Sequence, residues 1–225
     1  ARALDALALA ADPGSVEPLV ALAEGATPSS RAAALRALGA FDDRRAHAAL
    51  VTAARAREPD LALAALGALG EHGTSDDAAL LFDAVATGRW PRSAGAAFAL
   101  ARLGRRGALA TVADAAVKLC ALFRSRDAYV RANVAIALAS LGAGACAEPA
   151  IAPIELLRPI HGEVVRLAAA RWTAAATAAG HLPAADGARA LARCVSSDPS
   201  AEVARACASP EMPALGDVAD VVAYA

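Results

Sequence analysis

The sequence predicts an all-α fold, a right-handed α-solenoid of about five to six stacked helix hairpins. Three observations carry that prediction. Alanine fills about a third of the 225 positions and aromatics only 4%, so the chain is rich in the residue that forms helix most readily because it loses no side-chain entropy on doing so. A hexamer recurs, ALRALG ending at Gly39, ALGALG at Gly70, ALARLG at Gly104 and ALASLG at Gly142, with a degraded ATAAG ending at Gly180. The intervals suit two helices of three or four turns with short connections, the mark of a helical repeat.

Each element follows from local chemistry. The hexamer closes the second helix of a pair, and its glycine is expected to take the left-handed conformation that lets the chain turn. Second helices are expected to start at Pro28-Ser29-Ser30, Glu58-Pro59-Asp60, Trp90-Pro91-Arg92, Asp127 and Asp198-Pro199, which offer capping oxygens or a first-turn proline. First helices are read at Val16 to Ala23, Arg44 to Arg55, Ser75 to Ala86, Leu109 to Phe123, Ile151 to Leu157 and Ala184 to Cys194. Val130, Val134, Leu138 and Leu141 recur at helical spacing and form one apolar stripe. A lone hairpin leaves such a stripe in water, and a stacked neighbour covers it. The approximate repeats are 13–39, 40–70, 71–104, 105–142, 143–180 and 181–209, with 210–225 a cap or partial repeat. The segment Ala1 to Ala11 reads as a helix caught partway through a repeat, the pattern of an excerpt from a longer chain.

The motifs Asp127-Ala-Tyr-Val-Arg131 followed by ALASLG, and Ser30-Arg31 leading to ALRALG, resemble the HEAT repeat, in particular the short bacterial subclass called PBS-lyase HEAT-like. The resemblance implies a ladder of acidic residues and arginines along the stack, carried here by Asp127 with Arg131, Glu163 with Arg166 and Glu202 with Arg205, while Asp60 has no arginine soon after it. It also implies a scaffold whose second helices line a concave face.

Chemistry is sparse. Deoxyhypusine hydroxylase, of similar architecture, holds iron with His-Glu dipeptides, and none occurs here; His47, His72, His161 and His181 stand singly and read as solvated residues, so no metal or other cofactor is expected. No nucleophile with an adjacent base, glycine-rich phosphate loop or carboxylate pair is present, and a non-enzymatic role is expected. Cys120, Cys146, Cys194 and Cys207 are too irregularly spaced for a zinc or redox motif and read as small buried hydrophobes in a reducing compartment. With the arginine bias and the absence of an apolar run of membrane-spanning length, this predicts a bacterial, cytoplasmic protein that does not enter a membrane.

The net charge of −1 hides an uneven distribution. Residues 89–131 carry a net +7, residues 1–88 a net −5 and residues 181–225 a net −3. The basic middle predicts an acidic or phosphorylated protein partner, since an arginine fork binds carboxylate or phosphate through two bonds. The candidate partner-binding residues are Trp90, Arg92, Arg102, Arg105, Arg106, Tyr129, Arg131 and Arg166. A HEAT-like nucleic-acid-binding protein or DNA-repair glycosylase using the same repeats is the alternative, and the overall charge speaks against it. Self-association of an acidic end with the basic centre is a third reading. Trp172 reads as core.

Overall fold

The computed structural model describes residues 12–25 and 27–210. The helix expected at Ala1 to Ala11, and all but the first residue of the cap or partial repeat expected at 210–225, lie outside the described residues. Among the described residues there are twelve α-helices and no strand, with one isolated antiparallel bridge between Cys146 and Ile151.

The chain divides into two units, residues 1–99 and 100–225, the division falling inside one helix. In the first unit α1 (Val16–Gly25) pairs with α2 (Pro28–Leu38) and α3 (Arg44–Ala54) with α4 (Pro59–His72). After them come α5 (Ala78–Thr87) and the opening turns of α6 (Arg92–Arg105). First helices pack on first helices, α1 on α3, and second on second, α2 on α4. The second unit holds the end of α6, α7 (Ala115–Ala121), α8 (Ala128–Ser140), α9 (Pro153–Leu156), α10 (Glu163–Ala178), α11 (Ala184–Ser197) and α12 (Ala201–Ala208). There α8, α10 and α12 form the layer of second helices. Each unit thus has the layered hairpins of an α-solenoid, in which every stripe is covered by its neighbour.

Helix starts follow the capping chemistry. Asp43 accepts the backbone N–H groups of Arg45 (2.7 Å) and Ala46 (3.3 Å), and Asp127 that of Val130 (2.9 Å). Hydrogen bonds from the Arg45 side chain and backbone hold the Asp43 carboxyl below the usual carboxylate range. At α12 the cap is Ser200, whose hydroxyl accepts the Val203 N–H, and Asp198 accepts the Ser200 N–H instead of capping the helix itself.

The hexamer glycines do something other than expected at three of their five positions. Gly142 and Gly180 have φ of +61° and +77°, as a left-handed turn requires. Gly39 remains right-handed at φ −58°, and Gly70 and Gly104 lie inside α4 and α6. Their reason for being glycine is contact. A Cβ on Gly39 would stand 2.8 Å from the Ala68 Cβ, one on Gly70 2.8 Å from the Ala99 Cα, and one on Gly104 3.3 Å from the Ser140 Cβ. In each case the atom met belongs to the following second helix, so the signature records a seat for the next repeat, furnished by the smallest residue on one side and mostly alanine on the other.

Two first helices of the second unit are broken where continuous helix was expected. Over 108–124 a 3-10 turn (Ala108–Thr111), the seven-residue α7 and a second 3-10 turn (Leu122–Arg124) replace one helix, and Asp114 takes a left-handed φ of 56°. The fifth first helix shrinks to the four residues of α9.

The four cysteines are not free. Cys120 bonds to Cys146 and Cys194 to Cys207, with Cα–Cα distances of 5.5 and 6.0 Å, inside the usual range for a disulfide. This corrects the expectation of unpaired thiols: burial was right, and a small hydrophobe's preference for the interior is what brings the sulfurs together. The first bond ties α7 to the irregular segment before α9, and the second closes the α11–α12 hairpin. Trp172 of α10 is fully buried, stacked on Phe123 at 5.6 Å, with its indole N–H on the Ala143 carbonyl at 2.8 Å. A ring of this size fills space that alanines leave open.

Candidate binding surface

Of the predicted partner-binding residues, Trp90 and Arg92 belong to the first unit and the others to the second. Trp90 precedes α6 and is 53% exposed, with a cis peptide bond to Pro91. Arg92 opens α6 half-buried, and its Nε is buried without a hydrogen-bond partner. At the far end of that helix Arg102 is half-buried, while Arg105 and Arg106 are exposed. Tyr129 and Arg131 lie half-buried in the first turn and a half of α8.

Arg166 is the exception and is withdrawn from the surface. Its guanidinium forms a two-pronged bond to Asp198, Nε to Oδ2 at 2.8 Å and Nη2 to Oδ1 at 3.0 Å, and Nη1 donates to the His161 carbonyl. The two side chains are only 7% and 1% exposed. The ladder implied by the family resemblance therefore exists at this rung with a different acid: Asp198, ahead of the next second helix, takes the arginine in place of Glu163. Glu163 instead accepts the Ser200 hydroxyl at 2.7 Å. Both contacts join α10 to the segment leading into α12, so the rung fastens one repeat to the next.

His47 likewise departs from its reading as a solitary residue. Its Nε2 lies 2.7 Å from Oδ1 of Asp77, which is buried and whose other oxygen accepts the Thr74 N–H. This joins α3 to the start of α5 within the first unit.

The second unit also has a groove that no sequence signal marked. About 500 Å³ in volume, it runs between the segment around Ile154 to Pro159 and α11, with Arg158, Arg189 and Arg193 on its rim. Arg158 is 3.6 Å from Glu155 and Arg189 3.6 Å from Asp186, exposed pairs that contribute little to stability. Arg193 has no carboxylate within reach among the described residues. These arginines lie outside the window 89–131 where charge was concentrated, and only the fold brings them to one rim. Next to them His161 sits among cations: burial first, then Arg131, Arg158 and Arg166, push its imidazole below the ordinary histidine range.

Such a surface can bind anions. Among the described residues no group of histidines, cysteines and carboxylates is arranged to hold a metal, and no helix is long and apolar enough to cross a membrane.

The comparisons agree with the architecture. The family model described as HEAT repeats matches residues 16–101, and the chain carries HEAT repeats over that segment. The crystal structure of an engineered protein from the Northeast Structural Genomics Consortium is similar over 92% of this chain and 97% of its own, with a TM-score of 0.60 and 22% sequence identity, a likeness of fold alone. No curated protein matches the sequence.

Proposed function

We propose that the chain is a non-catalytic scaffold that holds an acidic segment of a protein partner on the basic surface of its second unit. The observation that supports this most is an excess of positive charge over negative in that unit. Residues 100–210 carry thirteen lysines and arginines against eight carboxylates. One of those carboxylates, Asp198, is buried against Arg166, while Arg131 and Arg193 have no ion pair among the described residues. Arg105, Arg106, Arg131, Arg158, Arg189 and Arg193 all belong to this unit, on α6, α8, α11 and the connections beside them. HEAT-repeat architecture serves the reading because rigid stacked helices fix such side chains in place before a partner arrives, which lowers the ordering cost of binding.

The reading includes a compartment. Two disulfides persist in oxidising surroundings and are uncommon in the cytosol, which supports a location outside the cytoplasm in place of the one expected from the sequence. Alkylation of the protein taken from its source without reductant, followed by intact-mass measurement, is expected to find no reactive thiol.

The test of the scaffold is capture of partners from the source organism by wild type and by the triple variant Arg102→Glu, Arg105→Glu, Arg106→Glu, with thermal melting to show that the variant folds. Loss of the captured protein is expected, and unchanged capture by a folded variant defeats the reading. Labelled duplex DNA in a salt titration distinguishes the nucleic-acid alternative, since phosphate neutralisation makes affinity fall steeply with ionic strength.

A further inference from the structure

Arg131 and Arg166 occupy the same place in successive repeats, four residues after the N-caps Asp127 and Gly162 of α8 and α10. Arg166 meets Asp198, which stands two residues before the next N-cap, Ser200. The residue two before Gly162 is Ile160, so where the later repeat supplies a carboxylate the earlier one supplies a hydrophobe, and that hydrophobe is 75% exposed. Arg31, four residues after the N-cap Thr27 of α2, is a third equivalent; its Nε donates to the Ala23 carbonyl at 3.0 Å. Arg131 alone of the three has no side-chain hydrogen bond or ion pair among the described residues, and its Nε is buried without one.

The chain segment that would carry the missing acid does pass this arginine. A Cβ on Gly162 would lie 4.0 Å from the Ala128 Cβ of α8, and the positive charge of Arg131 is felt at His161, together with those of Arg158 and Arg166. A buried guanidinium nitrogen without an acceptor is costly, and three neighbouring cations raise the return on bringing a negative charge there.

We infer that the Arg131 rung is completed from outside: a carboxylate of a partner protein takes the place that Asp198 holds at Arg166, and an apolar residue beside that carboxylate covers Ile160. The recognition unit is an aspartate or glutamate next to a large aliphatic side chain. This rests on the scaffold reading and gives it a specific contact.

The experiment uses the full chain and a fluorescent peptide of alternating Glu and Leu, with a Gln and Leu peptide as control. Wild type is expected to bind the first and not the second. Arg131→Gln and Ile160→Asp are each expected to weaken binding by about tenfold or more, the scale of one charge-assisted contact. Arg189→Gln, which removes the same charge elsewhere on the unit, changes affinity much less. Ile160→Asp supplies the absent carboxylate internally at an exposed position, so it is also expected to raise the thermal midpoint. No binding by wild type overturns the inference, as does equal weakening by Arg131→Gln and Arg189→Gln. So does an Ile160→Asp protein that binds as wild type. If that last result accompanies loss of partner capture by the Arg102, Arg105, Arg106 reversal, the scaffold reading stands and the rung does not.

Discussion

The two units are made from the same hairpin but held together differently. In the first, first helices keep ten or eleven residues and second helices eleven or more, two of the three glycine seats bring second helices close, and there is no cysteine. In the second, the first helices of two hairpins are broken, one into three short pieces and one down to four residues. Both disulfides, the aromatic stack and the buried Arg166–Asp198 pair are found in that unit. Regular alanine helices gain enough from close packing along their length; a hairpin that has given up a helix needs cross-links and large side chains to hold its shape.

The comparison breaks most visibly at Trp172. Truncation to alanine removes the stack on Phe123 and leaves the Ala143 carbonyl unbonded, and is expected to cost about 3–5 kcal/mol. Hydrogen exchange is expected to show the loss in α8 and α10 with little change in α1 to α4. Reductant comes next. The bonds span 26 and 13 residues, and chain-entropy arguments give each about 3 kcal/mol, the longer loop slightly more. Thiol treatment should therefore lower protection in the second unit while the first, having no cysteine, is untouched; equal loss in both would dissolve the contrast.

A smaller effect tests the seats. Gly70→Ala sets a Cβ 2.8 Å from the Ala99 backbone, and the strain of about 1–3 kcal/mol for overpacking outweighs the ~1 kcal/mol that alanine adds in helix propensity. Gly104→Ala, with its nearest atom 3.3 Å away on a side chain, should be close to neutral. Urea midpoints of the two variants measure the difference.

The smallest effect is in pH. His161 has a folded pKa below its unfolded value of 6.5, so the unfolded chain takes up the proton first. Stability of the second unit should fall as pH drops through 6.5 toward the folded pKa and level off below it. Denaturant midpoints between neutral and mildly acidic pH should lose that part of the slope in His161→Gln.

The layering of the fold was legible because alanine content and a recurring hexamer are local signals that survive in one dimension. The role of Gly39, Gly70 and Gly104 was not, since a turn and a helix contact ask for the same residue, and only the position of Ala68 or Ala99 separates them. Cysteine pairing was invisible for a related reason: nothing in a separation of 26 or 13 residues says that two Cα atoms come within 6.0 Å. At the surface, the arginines of 89–131 were readable as a charge run, whereas Arg166 needed Asp198 from 32 residues away to reveal it as a fastener. In the sequence Asp198 reads as a helix cap, because an acid before Pro199 fits both roles.

The Cys194–Cys207 bond has one consequence for anyone handling the protein. A protease that nicks the chain anywhere between Val195 and Ala206 releases nothing, because the two fragments stay joined through sulfur and migrate as one band. Only a reducing gel will reveal that the cut was made.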